Sequence, residues 1–481
     1  MTVETVERRS DRRLVARVEG WEDRTAQPHN GTTIHRLCMI LLAIGLLSPN
    51  IGTAQEVPRY LTLQDALDLA RQRNPAFRRV RAQADATGAD VRAATGSFLP
   101  NLNASFDFRA SKSTVATGQD DFGGNIELPE SRTIERSHSS QGLSSQLTLF
   151  DGFQNLNGLK SARAGAAAAQ WGVDAQATVL DGEVKRRFYE VIHWQRRIAI
   201  EERLLLARND ELVATDRLFR VAAREQVDVL GARVEVARQE QSLESARGEA
   251  RKALLVLIEA IGLEEEVDFQ VVGDFPDVLD PGMLDADVVV ERVLQWNPRL
   301  QQAAASAAQA SYAADRARGL RWPTITASAS FNRNVGQDGY GGMFQLNPQD
   351  RSFGIGFGVS LPLFTRFSTS QAIAQADASR EVETETLRET RLQLQREAQS
   401  VWIDVQNSFR QLELAERTAE LGRQRLAMAQ EQYQLGSRSY TELQQIVNTS
   451  ANDERSALAA RLNYVNAVIG LEELVGGPLG P

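Results

Sequence analysis

The chain has a single cysteine, Cys38, and four histidines in 481 residues. A disulfide framework is therefore absent, and a zinc site or a histidine-based triad is poorly supplied. Aromatic residues make up only 6% of the chain, so there is little bulky material for a thick core. The length alone suggests about three compact domains. An apolar fraction of 42% that leans on alanine instead suits long helices packed side by side. The formal net charge is -9, and no basic patch interleaved with aromatics is present. Nucleic acid is thereby excluded as a partner. Past residue 54 no segment approaches 18 uninterrupted apolar residues, so no transmembrane helix is expected.

The N-terminal residues read as an export signal. Arg36 precedes the apolar run Leu37–Leu47 (LCMILLAIGLL), too short for a bilayer span but right for the core of a signal peptide. Gly52, Thr53 and Ala54 offer small residues for cleavage before Gln55. Cys38 lies ahead of the core of that run, where a lipid-modified cysteine would follow it, so a lipoprotein is not expected. Residues 1–33 are unusually charged ahead of a signal, which fits a start codon assigned too far upstream.

Two segments carry the same punctuation. Asn74–Leu102 and Asn297–Ile325 both run from Asn-Pro to a second proline, Pro75 to Pro100 and Pro298 to Pro323. Asparagine suits the N-cap and proline the first helical turn. Small or apolar residues then step by four and three: Val80, Ala84, Thr87, Val91, Ala94 and Phe98, answered by Ala303, Ala307, Ala310, Ala314 and Ala317. That is a coiled-coil seam, closed by Pro100 and Pro323.

The period then changes to two. Leu102, Ala104, Phe106, Phe108 and Ala110 alternate with Asn101, Asn103, Ser105, Asp107 and Arg109; Ile325, Ala327, Ala329 and Phe331 alternate with Thr324, Thr326, Ser328 and Ser330. Return strands carry Leu143, Ser145, Leu147 and Leu149, and Phe353, Ile355, Phe357, Val359 and Leu361, on one face. One oily and one small or polar face over about ten residues is the pattern of an outer-membrane barrel strand. A soluble hairpin with one wet face alternates in the same way, but four such strands behind a signal peptide favour the barrel. Ser111–Ser139 and Arg333–Gln349, rich in Gly, Ser, Asn, Asp and Gln, are expected to be external loops.

Each strand pair is followed by a proline-free stretch, Asn155–Arg220 and Ser368–Gln434. At 1.5 Å per residue such a helix reaches roughly 100 Å. A shorter helix returns from each, with seams Ala246, Ala250, Ala253, Leu257 and Leu458, Leu462, Val465, Ile469. Phe150 to Ala222 and Phe364 to Gly436 are both 72 residues, and the offset between copies falls from 223 to 214 across the strand pair. The length difference is confined to the connection between strands, as a shared scaffold predicts. Four strands cannot close a barrel, and open edges are not tolerated in lipid. Several copies must share one.

In this order, twice over, Leu61–Pro75 (LTLQDALDLARQRNP), Ser97–Phe108 (SFLPNLNASFDF), Leu147–Gly152 (LTLFDG), Leu361–Phe364 (LPLF) and Tyr433–Gln445 (YQLGSRSYTELQQ) resemble the TolC family of outer-membrane efflux proteins, the outer membrane factors. The resemblance implies an α+β membrane protein: a trimer whose twelve-stranded β-barrel continues as a long periplasmic α-helical coiled-coil barrel. Residues 1–54 would be the extension and signal, 55–263 the first repeat, 264–285 an equatorial segment and 286–481 the second repeat. The family's function implies a passive outer-membrane exit duct of a tripartite efflux or type I secretion system. Its partners would be two further copies of the chain, a periplasmic adaptor protein, an inner-membrane transporter and outer-membrane lipid, with no cofactor and no enzymatic activity. The helix tips Val221, Ala222, Ala223 and Leu435, Gly436, Ser437 would meet the adaptor. The periplasmic gate would lie beside them, with Tyr433 and Arg438 pairing with Asp228 across helices and Glu442 forming an acidic ring. The family's second acid, three residues on, is Gln445 here, which weakens any doubled ring.

The sequence leaves two other classes open. A non-channel periplasmic coiled coil needs no oily strands. A helical-bundle enzyme finds only Glu135-x-x-His138 and Glu190-x-x-His193, which match the spacing of di-iron bundles; the first falls in a Ser-rich stretch expected to be a loop. The glycine row Gly354–Gly358 lies within a strand pattern with no helix opening after it, so it is not a phosphate loop.

Overall fold

The computed structural model describes residues 59–119, 125–222, 224–263, 269–283, 285–340 and 350–477. The expected signal over 1–54 and the tip residue Ala223 lie outside them. In the first half β1 (Tyr60–Leu61) leads to α1 (Leu63–Arg73), α2 (Pro75–Gly96), β2 (Asn101–Gln119), β3 (Asn125–Phe150), α3 (Gln154–Arg220) and α4 (Gln226–Ile261). β4 (Gln270–Val271) pairs in parallel with β1. The second half repeats the order: α5 (Ala286–Trp296), α6 (Pro298–Arg318), β5 (Thr324–Asp338), β6 (Asp350–Ser360), α7 (Ser368–Gln434) and α8 (Tyr440–Val475).

The two proline-free stretches form helices of 67 residues each, α3 and α7, and the return helices have 36 each. Both long helices begin after the same strained turn. Gly152 and Phe153 have φ of 68° and 67°; their repeat mates, Arg366 and Phe367, have 50° and 66°. Non-glycine residues rarely hold the left-handed region, so its recurrence at offset 214 shows that the chain's turn from sheet to helix is built identically twice.

The Asn-Pro punctuation has a tertiary reason. Asn74 caps α2 through Phe77 N–H at 3.0 Å, and its Nδ2 donates to the Ala260 carbonyl near the end of α4. Asn297 caps α6 through Arg299 N–H at 2.9 Å, and its Nδ2 donates to the Leu474 carbonyl near the end of α8. One side chain thus starts one helix and anchors the end of another. Asn297 is buried, so Asn297→Ala loses a cap and strands a carbonyl. We expect a loss of about 2–3 kcal/mol, read as a lowered melting temperature in detergent.

The main core joins α1, α4, α5, α7 and α8 to the middle of α3, through Leu61, Phe188, Ile192, Leu257, Ile261, Val293, Leu394, Val465 and Leu471 among others. α3 packs on α2, α4, α6 and α8, and α7 packs on α6 and α8.

The sheet order is β2-β3-β5-β6, antiparallel throughout. Its strands run well past the oily segments. β2 and β3 pair from Asn101↔Gln146 to Val115↔Arg132, and β5 continues to Asp338. The loops expected over Ser111–Ser139 and from Arg333 are therefore corrected: most of the first and the start of the second are strand. Polar residues on both faces read as a loop, yet backbone pairing needs no oily face. Cross-strand pairs support the extension, with Lys112 Nζ 2.9 Å from Glu135 Oε1 and Thr114 opposite Thr133. Glu135 and His138 consequently sit in strand β3, not in a loop. Three residues apart in a strand, they point to opposite faces and cannot share a metal.

Candidate channel wall and helix tips

Pairing fixes which side chains share a face of the sheet. Leu102, Ser145, Ala329 and Ile355 form one row, and Ala104, Leu143, Phe331 and Phe353 the next. The opposite face carries Asn103, Ser144, Ser330 and Gly354, then Asn101, Gln146, Ser328 and Gly356. Glycines of β6 lie against Ser330, Ser328 and Thr326, as the alternation requires. From Leu102 to Ala110 the oily band covers roughly 27 Å along the strand, or about 21 Å of height at a tilt of about 40°. It ends at charged residues, Lys112, Glu135, Arg333 and Arg351. At its other end exposed aromatic and aliphatic side chains gather where sheet becomes helix: Leu99, Phe153, Trp322, Phe364, Phe367 and Leu363, the last 89% exposed. Strands β2 and β6 leave both edges of the sheet unpaired.

The other end of the helices holds two turns. Ala222, with φ of 56°, ends α3; Gly436, with φ of 75°, ends α7. The two turns make matching backbone bonds, Ala222 N–H to Phe219 and Gly436 N–H to Tyr433. Glycine adopts this conformation freely, and the first turn holds it with alanine. Val221, Ala222, Leu435, Gly436 and Ser437 are all exposed.

The residues expected at the gate stand near these tips, and the expected pairing with Asp228 is not seen among the described residues of the chain. Tyr433 is 3% exposed and its hydroxyl lies 3.1 Å from Thr215 Oγ1 on α3. Arg438 Nε donates to Gln432 Oε1 at 3.0 Å, within its own turn. Asp228, in the first turn of α4, has no ion-pair partner among the described residues. Tyr433 bonds α3 through Thr215 and belongs to a small buried cluster with Ala232 of α4 and Tyr440, Leu443, Ile446 and Val447. Glu442 closes a capping box with Ser439, at 3.3 and 3.2 Å. The Ser439 backbone N–H holds its carboxyl below the usual range.

Sequence reasoning missed a polar seam above the tips. Glu201, Arg208 and Thr215, seven residues apart on α3, are all buried. Glu201 accepts from Gln239 of α4 and from Arg455 of α8, each at 2.6 Å, and pairs with Arg197. Burial alone would raise its carboxyl; the bonds from Arg455 and Gln239 outweigh it and hold the pKa below the ordinary value. Arg208 bonds Gln444 and Asn448 of α8 and lies near Glu211 and Glu235. Their repeat mates at offset 214 are Ala415, Gly422 and Ala429. That contrast, polar every seven residues in one copy and small in the other, was the available signal. His193, on the same helix, is half-buried with Nδ1 unpartnered. Burial lowers its pKa, which fits a neutral packed imidazole.

The model of the family described as outer membrane efflux protein matches residues 66–263 and 289–477, most of the chain. The chain belongs to this family. Among relatives, Protein CyaE of Bordetella pertussis is 26% identical over 347 residues, 69% of this chain and 66% of that protein, just under two thirds of its length. Outer membrane efflux protein BepC of Brucella suis is 25% identical over 413 residues, covering 83% of this chain and 80% of BepC. A solved structure of CusC, described for folding and transmembrane channel formation, has a TM-score of 0.71 at 16% identity over 86% of this chain and 92% of CusC; that likeness is one of fold. The TolC-type helical architecture and internal repeat follow. This outer membrane efflux protein resides in the cell outer membrane and extends into the periplasm. Its family is one of transport channels.

Proposed function

We propose that this outer membrane efflux protein is the exit duct of a tripartite efflux or type I secretion system, working as a homotrimer. The observation that carries the reading is the sheet: four strands, one oily face, one polar face and two unpaired edges, continuous with two 67-residue helices. Closing such edges against further copies yields a barrel of twelve strands from three chains. The smallest bacterial barrels, of about eight, exclude a closed monomer. The polar face lines water, and the oily face meets lipid.

Cargo would enter at the tips from an inner-membrane transporter through a periplasmic adaptor seated on Val221–Ala222 and Leu435–Ser437. Conduction is passive, and the energy comes from the transporter. The tips also form the gate, in which Tyr433, Arg438, Asp228 and Glu442 hold the periplasmic end shut. Asp228 has no ion-pair partner among the described residues of its own chain, so a neighbouring chain's tip is the partner this reading gives it.

Planar-bilayer recording of the purified protein tests both levels. Discrete conducting steps are expected, with Arg438→Ala and Tyr433→Phe raising single-channel conductance. A monomer that stays soluble without detergent and forms no pores overturns the duct. Unchanged conductance in the double variant overturns the gate assignment.

A further inference from the structure

The two tips of one chain are joined by a residue that the family resemblance does not assign. Arg224, two residues before α4, reaches across to the second hairpin. Its guanidinium carbon lies 4.8 Å from the Tyr433 ring centroid, and its Nη2 donates to the Arg438 carbonyl at 2.8 Å. Tyr433 is held from the other side by Thr215 and packs edge-tilted against Tyr440 at 6.4 Å. The bonds therefore form a clamp: α3 and the first turn on one side, and the second turn on the other.

We propose that Arg224 is a positioning residue that ties the two hairpin tips of each chain together and thereby fixes where the second tip stands. The tie rests on the gate reading only for its consequence: the second tip carries Tyr433, Arg438 and Glu442, so releasing it releases them. Chemically the tie is suited to reversible use. A guanidinium stacks on an aromatic face and donates a directed N–H at once, which an ammonium does less well. The carbonyl it bonds sits in a turn with little regular backbone pairing of its own, between the Gly436 bend and the capping box of α8. Arg224 is partly exposed, so the clamp can be opened by a competing contact without unfolding either helix. It is also specific to one copy. The repeat mate of Arg224 is Arg438, whose side chain bonds Gln432 of its own turn, so within the chain the tie runs in one direction only.

The test uses full-length trimers with Val221→Cys and Leu435→Cys carrying spin labels, labelled chains being diluted into an excess of unlabelled ones. Intrachain distance distributions are measured alongside planar-bilayer conductance for wild type, Arg224→Ala and Arg224→Lys. Losing a cation–π contact and a charge-assisted hydrogen bond should shift the held-to-released ratio roughly tenfold in Arg224→Ala. The distribution should broaden to longer distances and conductance should rise, with Arg224→Lys between and melting temperature unchanged. Broadened distances with unchanged conductance support the tie and overturn the gate reading beneath it. Distances unchanged in Arg224→Ala overturn the tie, whatever the conductance does. A lowered melting temperature that Arg224→Lys does not restore also overturns it, because the residue is then merely structural.

Discussion

Phe357→Arg should abolish assembly into the outer membrane, whereas Ser330→Arg should leave trimers intact. Phe357 pairs with Ala327 on the oily face of β6 and is 76% exposed in the single chain. Ser330 sits in the neighbouring strand, three residue rows along and on the other face, opposite Ser144 and Gly354. On the proposed assembly, the first arginine faces hydrocarbon at a cost of about 2–4 kcal/mol per chain near the midplane, incurred once in each copy. The second faces water and costs only the loss of some lumen width. The comparison controls for strand propensity and for side-chain bulk, because both changes place the same residue in the same sheet. The readout is the yield of heat-resistant trimers from outer-membrane extracts, with conductance of whatever inserts. Equal yields from the two variants would remove the distinction between faces, and with it the lipid-exposed wall. The Ser330→Arg channel carries a separate expectation: a narrowed lumen with added positive charge should pass less cation current than wild type.

The strands were legible where their two faces differ and illegible where they do not. Leu102, Phe106 and Ile355 announce a strand because period-two alternation has a physical cause, one apolar face and one polar face. Ser113 and Thr133 are just as extended, but both faces there are polar, and polar-on-polar sequence carries no period. The long helices were legible through an absence. With no proline over Ser368–Gln434 nothing breaks the ladder, and the helix fills those residues. The register of the repeat was legible too, since offset 214 recovers the paired positive-φ residues Phe153 with Phe367 and Ala222 with Gly436. Partner choice at the tips was not. Tyr433 could have turned to Asp228 or to Thr215, and sequence spacing does not say which helix lies across from it. Arg224 was overlooked for the same reason: a lone arginine beside a turn reads as a solvated charge until Tyr433 is seen beneath it. The buried seam of α3 is a third kind of miss. Glu201 and Arg208 look like surface residues of a long amphipathic helix, and only the packing of α4 and α8 over them makes them interior.

Arg208→Ala should destabilise the packing of α3 against α4 and α8 by about 3–5 kcal/mol, the usual consequence of removing one partner from a buried charge cluster. The arginine is 5% exposed and sits among Glu211, Glu235, Gln444 and Asn448. Its loss leaves two carboxylates without their shared cation, and Gln444 without the donor to its side-chain oxygen. The damage should also acquire a pH dependence of known sign. Burial already raises the Glu211 carboxyl above its ordinary value, against the pull of Arg208. A carboxyl whose folded pKa exceeds its unfolded one binds more protons when folded. Its stabilising contribution is therefore present below the ordinary carboxylate range and is lost as pH rises through the folded value. Removing Arg208 deletes the opposing pull, so the upward shift grows. The variant should be closest to wild type in mildly acidic buffer and weakest near neutrality. Hydrogen exchange of α3 and α8 amides across that range measures this directly, since the seam joins those two helices. Arg208→Met with Glu211→Leu should recover stability by replacing the cluster with apolar packing, the expected behaviour of a buried ion pair exchanged as a unit. Faster exchange in the single variant that is flat with pH would show that the loss is one of packing around Gln444 and Asn448, and that Glu211 does not depend on Arg208.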